Sequence, residues 1–525
     1  MSEPSAATPT GTVSLVVDGR AVEVRDHGGS LLGALRDQLG VRSAKDGCSP
    51  QGQCGCCTVL VDGQPRVSCV TPLRRVAGRT VTTVDGLDPA AREAWASAMC
   101  ATGGSQCGFC TPGIIVRLEG LRAKGGDLAG PAVERALQAH LCRCTGWQTI
   151  TEAAALVAAG RPDGADRDLD AAARRAALEG GAPQAVGPEV ALGRGGFADD
   201  TAPDDALVAV RDAAGAWVVG ESVEEARRAA GKVQGRRTTV AGEPPLTVPE
   251  GEWAASLRTS WVEPAYLETD ATWCAPGGRP VSSLANGGAF GAKDPDHLAA
   301  TARALADEHG RPVRVLWSRE DVVRLGPKRP PFAGGARADG SGAVVVARTP
   351  GIAAAIAGVA PDLAVTEVGL AGPPTSAAVR AAGWAEAAVA VAALGSSPDR
   401  VVAPNGATAA AEIIDVDGRE QVRVSVRCGR PLDAVVLRSY CVGAAHMALG
   451  WVRSEALAVD QDGTPLDLTI RSFGILRAVD TPPIEVTIEP DDGEPVNGSD
   501  AVFAAVAAAA WRAAGHPGRW PAGVQ

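Results

Sequence analysis

The sequence predicts a multidomain α+β protein, in which a small β-grasp unit and a helical bundle precede a longer α/β region. Three observations carry that prediction. Pairs of short alternating runs flank Asp-Gly dipeptides early in the chain, proline-led apolar stretches follow, and the remainder interleaves β-like runs with alanine-rich helices. A length of 525 residues fits three or four domains.

Residues 12–86 supply the β-grasp pattern. Val13–Val17 and Ala21–Val24 alternate around Asp18-Gly19, and Thr58–Val61 and Arg66–Val70 around Asp62-Gly63. Asp-Gly is a strong two-residue hairpin signal, because both turn positions need positive φ. Ser30 can cap a short helix, Leu31–Leu39, that Gly40 closes. Residues 87–160 read as a helical bundle. Thr111-Pro112 offers a cap and then proline at the first helical position, Pro131 leads a second helix through Val133 and Leu137, and Thr149 leads a third through Ala153–Ala158. Residues 161–200, loosely patterned and rich in Gly, Pro, Asp and Arg, read as a linker with one exposed helix. From 201 to 525, runs such as Ala206–Val210, Val313–Leu316 and Leu466–Ile470 alternate with helices, giving two lobes divided near residue 400 without an internal repeat.

Composition narrows the function classes. The chain is 46% hydrophobic and 21% charged, ordinary for a soluble globular protein, and its net charge of −11 argues against nucleic acid or an anionic membrane as partner. No run of 18 apolar residues suggests a membrane span, and Met1–Gly11 lacks the pattern of a signal peptide. A cytoplasmic location is therefore expected. Thirteen cysteines in such a chain point to metal rather than disulfides, because that compartment keeps thiols reduced. Ten of them precede residue 145, and only Cys274, Cys428 and Cys441 lie beyond.

Cys48, Cys54 and Cys57 share one loop, and Cys69 follows on what reads as a strand. Plant-type 2Fe–2S sites use C-x4-C-x2-C and a distant fourth cysteine. Here the first spacing is one residue longer, and Cys56 is an extra thiol whose pairing with Cys54 would be too tight, so Cys57 is the expected ligand. Gly47, Gly52 and Gly55 suit a loop whose backbone N–H groups approach thiolate charge. A second set follows: Cys107 and Cys110 at a helix start, Cys142 and Cys144 at the end of another helix. Helix N-termini favour thiolates. Zinc or inert buried thiols could use the same residues, but two such sets in succession read as two one-electron centres in series. The histidines are scattered without ligand spacing.

These motifs in this order resemble the iron–sulfur part of the xanthine dehydrogenase, or molybdenum hydroxylase, family; "QCGFCTPG" and "LCRCTGW" are its specific signatures, and the likeness runs over about residues 12–160. The resemblance implies a molybdopterin cofactor near the second cluster, with Gln106 contacting the pterin and Cys144 on the path between pterin and cluster. A surface amide is the plainer reading of Gln106. The remaining chain resembles the family's molybdenum-binding portion in abridged form. Gly287–Lys293, with Gly288, Phe290 and Gly291, resembles the glycine-rich loop beside the metal. Glu263–Glu268 and Gly310–Val322 resemble its flanking segments, and Arg380 lies in a segment resembling one near the substrate. Glu494, in "GEP", matches the glutamate that deprotonates the metal-bound hydroxide; an acidic turn with Asp491 and Asp492 is the alternative.

Two departures stand out. Met447 or His446 occupies the place where the family has a pterin-contacting glutamine, and the region after residue 200 is about half the expected length. No segment resembles the family's flavin domain. The resemblance thus implies an oxidoreductase that acts on a small-molecule substrate and passes electrons through two 2Fe–2S clusters to a separate FAD subunit or another acceptor. The alternative is a non-catalytic electron-transfer subunit whose molybdenum-like region docks a partner.

Overall fold

The computed structural model describes residues 11–161, 167–231, 235–392 and 400–523. Its first body is a five-stranded sheet in the order Arg20–Asp26, Gly11–Val17, Thr80–Thr82, Thr58–Val61, Gln64–Val67. Gly11–Val17 and Thr80–Thr82 pair in parallel, and the two outer hairpins are antiparallel. Both hairpins turn where Asp-Gly stands: Asp18 and Gly19 have φ of 49° and 79°, Asp62 and Gly63 of 47° and 72°. That is the type I′ geometry which matches the right-handed strand twist. Ser30 does cap the expected helix, its hydroxyl accepting from Gly33 N–H, although the helix loosens into a π turn over Ala34–Gln38.

Helices Pro89–Thr102, Thr111–Arg122, Gly130–Ala136 and Gln148–Ala158 follow. Thr111 is the first helical residue rather than the cap, which is Cys110. The stretch expected to be a linker differs more. Leu169–Gly180 buries Ala172, Arg175, Ala176 and Glu179 against helix Ala434–Arg453, so the helix is built into the core rather than exposed. Its apolar face is made of alanines, which carry a weak hydrophobic signal.

Among the described residues, three four-stranded sheets with their intervening helices follow. Their orders are Trp217–Gly220, Leu207–Arg211, Val313–Leu316, Ala271–Cys274; then Leu363–Val368, Gly342–Ala347, Phe332–Ala336, Ala255–Arg258; and last Val401–Val402, Thr408–Val416, Arg419–Arg427, Ile484–Ile488. Leu466–Ile470, expected as β-like, forms no strand and leads into a 3-10 turn. Helix Ala434–Arg453 is long and apolar enough to cross a membrane, but here it is an almost wholly buried core helix, covered by Ser499–Ala513 and Leu169–Gly180. The architecture is multidomain and mixed α/β, with ferredoxin-like and helical bodies wrapped by the later sheets.

Candidate metal centres

Three thiols on the loop between the two hairpins gather with Cys69, which follows the second hairpin. The Cys48 thiol accepts the Gln51 backbone N–H at 3.2 Å and hydrogen-bonds the thiols of Cys54 and Cys69; Cys69 in turn bonds Cys57. All four are buried. Cys69 does not lie on a strand: Gln64–Val67 ends first, and a 3-10 turn over Ser68–Val70 swings the thiol inward. Cys56 touches Cys54 from outside this group, fully buried and facing the second set.

The second set forms between helix Thr111–Arg122 and the loop before Gln148–Ala158. Cys107 Sγ and Cys144 Sγ are 3.7 Å apart, Cys110 pairs with Cys142, and the Thr145 hydroxyl lies 3.1 Å from Cys142 Sγ. The hydrogen bond from Cys110 is the leading cause that holds the Cys142 thiol at about 6, against the opposing pull of burial. Among the described residues, no three His, Cys, Asp or Glu side chains converge on one point as a mononuclear ion requires.

The two loops interlock. Leu141 N–H donates to the Cys54 carbonyl at 3.0 Å, joining the residue before Cys142 to a residue of the first set. Gly55, at φ 74°, lies so close to the His140 ring that a Cβ there would sit 2.4 Å from it. Burial, with Arg117 second, lowers His140 to about 3, so it stays a neutral packing group between the two sets.

Gln106, Gly288, Phe290 and Gly291 do converge near the second set. Gly288, at φ 83°, packs against Cys107, Phe290 stacks on the Arg380 guanidinium at 4.4 Å, and Gly291 abuts the Ala378 carbonyl. Gln106 Nε2 donates to the Cys144 carbonyl and to Ser439 Oγ, both at 2.9 Å, while its buried Oε1 has no partner among the described residues. Met447 Sδ accepts from Arg380 at 3.4 Å, and His446 turns away to Leu476 O at 3.1 Å.

Glu494 does not join them. Its side chain is 90% exposed with Arg430 at 3.6 Å. The Asp491 carboxylate accepts from Gly429 N–H and Gly493 N–H, and this turn sends the chain back along the surface. The carboxylate that the resemblance matched to the family's base is therefore an exposed side chain following an acidic turn.

The ion pairs that dominate this region were not foreseen from the sequence. Arg143 grips Glu455 through two bonds of 2.5 and 2.7 Å, Arg329 grips Glu386 at 2.8 and 2.9 Å, Lys293 meets Glu268 at 2.6 Å, and Arg380 meets Asp500 at 3.0 Å. Burial pushes Glu268 up to about 7 against the pull of Lys293; either protonation state leaves the ammonium an acceptor. Arg143, Lys293 and Arg380 stand in segments with a family signal, whereas Arg329, Glu386 and Glu455 carried none. Between these pairs remain cavities of about 10 Å³, bordered by Cys107, Cys144, Gly288 and Lys293, and about 30 Å³, bordered by Phe290, Arg380, Met447 and Trp451.

Comparison with known proteins agrees with this layout. Residues 83–155 match a family model described as a 2Fe-2S binding domain. A xanthine dehydrogenase iron-sulfur-binding subunit from Escherichia coli is 35% identical over 142 residues, which are 26% of this chain and 89% of that protein. A xanthine dehydrogenase from Blastobotrys adeninivorans is 37% identical over 173 residues, 30% of this chain, yet the match spans only 12% of that longer protein. Among solved structures, the aldehyde oxidoreductase from Desulfovibrio gigas superposes with a TM-score of 0.69 at 15% identity, over 98% of this chain and 99% of that one, and so shares the fold. Because this chain covers 89% of that iron-sulfur-binding subunit at 35% identity, it belongs to the xanthine dehydrogenase family of molybdenum hydroxylases.

Proposed function

We propose that this chain is an oxidoreductase of that family whose own part is electron transfer through two 2Fe–2S clusters, one held by Cys48, Cys54, Cys57 and Cys69, the other by Cys107, Cys110, Cys142 and Cys144. Bound clusters supply two one-electron carriers in series. The observation that carries this reading is the hydrogen bond from Leu141 N–H to the Cys54 carbonyl, which links the two thiol sets through a few bonds. Around them, burial excludes water, and Gln51 N–H and the Thr145 hydroxyl stabilise thiolate charge.

Relatives named as subunits of larger dehydrogenases support a partner chain, and we place a flavin-bearing subunit there as the electron outlet. Thirteen cysteines, with no disulfide among the described residues, support a reducing, cytoplasmic setting. Electrons released on substrate oxidation enter the relay through whichever redox centre feeds the second cluster.

Iron analysis and electron paramagnetic resonance test the assignment. Reconstituted protein is expected to hold about four irons per chain and, once reduced, to show two distinct rhombic signals. Cys57→Ser removes one signal, and Cys56→Ser leaves both. Loss of a cluster in Cys56→Ser would overturn the ligand choice.

A further inference from the structure

The family resemblance calls for a pterin cofactor beside the second cluster; we infer instead that this chain has closed that position with its own side chains, and that residues 201–525 form a casing for the two cluster loops rather than a cofactor chamber. The inference builds on the electron-relay reading above.

Space is the first argument. The gaps beside Cys107, Cys144 and Phe290 measure about 10 and 30 Å³. One water needs about 10–15 Å³, and cofactor-sized ligands occupy pockets of roughly 300 Å³ or more. Helix Ala434–Arg453 leaves no slack: a Cβ on Gly443 would lie 1.8 Å from the Cys144 carbonyl oxygen. Roomier concavities lie elsewhere on open surface, such as one of about 410 Å³ along Trp147, Arg438 and Pro483.

Charge is the second. A phosphate-bearing pterin needs cations or free amides, yet Arg143, Lys293, Arg329 and Arg380 are each committed to a carboxylate. Freeing Arg143 or Arg329 would leave Glu455 or Glu386 buried and unpaired, which the fold tolerates poorly. Gln106 spends both donors on the chain itself, and its lone unpartnered Oε1 is a single acceptor, far short of a pterin's many polar groups.

The same elements show what the region does instead. The Arg319 guanidinium donates to the Gly47 carbonyl at 2.6 Å, Gln51 donates to Glu320 at 3.0 Å, Arg471 reaches the Gln53 carbonyl at 2.9 Å, and Asn286 reaches the Cys107 carbonyl at 2.7 Å. Each bond clamps backbone or side chain beside a cluster cysteine. The second half thus seals and holds both loops.

Metal analysis of full-length protein purified from its native host tests this, with a molybdenum enzyme from the same extract as control. About four irons and no molybdenum per chain is the expected result. Four irons with stoichiometric molybdenum overturns the closed site while leaving the relay intact; fewer than three irons overturns the relay itself. A second test uses packing. Gly443→Ala should abolish or broaden the signal of the second cluster and spare the first, because the added methyl must push the Cys144 carbonyl away. Two unaltered signals in that variant would show that helix and cluster loop stand apart in solution, and would overturn the closure.

Discussion

Arg143 sits between the cysteines of the second set, and its guanidinium is spent on Glu455, 312 residues away, with both groups buried. An ion pair so enclosed contributes modestly while intact but is costly to break, because the survivor keeps its charge out of water. Glu455→Gln is therefore expected to lower stability by about 3–5 kcal/mol and to shed iron from the second site first, readable by denaturant unfolding and by the paramagnetic signals. Glu494→Gln should alter neither iron content nor unfolding midpoint, since that carboxylate faces solvent. The contrast teaches how far residues alone can be read. Cysteine ligands are legible because spacing and chemistry constrain them together. A lone glutamate in "GEP" takes its meaning from where the chain carries it, and Asp491 carries it along the surface. Met447 was legible as an apolar replacement for an amide; its contact with Arg380, which helps close the pocket, depends on packing across distant segments.

At the scale of elements, the start of helix Thr111–Arg122 meets the first cluster loop so closely that only glycine fits: a Cβ at Gly113 would lie 2.4 Å from the Gly55 carbonyl and 2.8 Å from that of Cys56. Gly113→Ala should destabilise the protein by roughly 1–3 kcal/mol through overpacking and broaden the first cluster's signal, which equilibrium unfolding and spectroscopy can check. A variant as stable as the parent would show that the loops are not packed as described. Asp18-Gly19, Asp62-Gly63 and the proline-led helices were legible because local chemistry decides them: positive φ, a fixed φ and a missing N–H. Helix Leu169–Gly180 was legible as a helix but not as a buried one, because its inward face mixes alanines with Arg175 and Glu179. These two form a buried ion pair at 3.5 Å, and Glu179 also accepts Gly498 and Ser499 N–H. Sequence periodicity reads such a stripe as solvent-facing; only the closing helix shows why it is not.

Across the whole molecule, buried charge joins the shared apolar core in fastening the ferredoxin-like domain to the later region. Arg36 meets Asp199 and Asp200 at 2.7 and 2.8 Å, Lys45 meets Asp200, and Arg314 meets Asp37 and Asp199 at 2.8 and 3.0 Å. Burial alone would raise the Asp199 carboxyl, but Arg314 and Arg36 outweigh it and hold it well below the carboxylate range. A depressed carboxylate gives stability that is present above its unfolded value of 3.8 and is lost as pH falls through the lower folded value. Two buried histidines act earlier. Burial, then Arg143, lowers His446 to about 4, and burial, then Arg117, lowers His140 to about 3, both from 6.5. A base with a lowered folded pKa leaves the unfolded chain binding more protons between the two values, so stability falls as pH drops below 6.5. At about 1.4 kcal/mol per unit, His446 alone accounts for on the order of 3 kcal/mol by the time pH reaches its folded value. Glu268, pushed up to about 7 by burial, works with the opposite sign over the same window, so the histidine contribution is read as the difference between parent and variant. Denaturant midpoints measured from pH 7 to 4 should fall more steeply in the parent than in His446→Leu, which also lowers the value at pH 7 through the lost bond to Leu476. An unchanged slope in the variant would mean that His446 is charged or hydrated in the folded protein, contrary to its enclosure between the second thiol loop and the segment around Leu476.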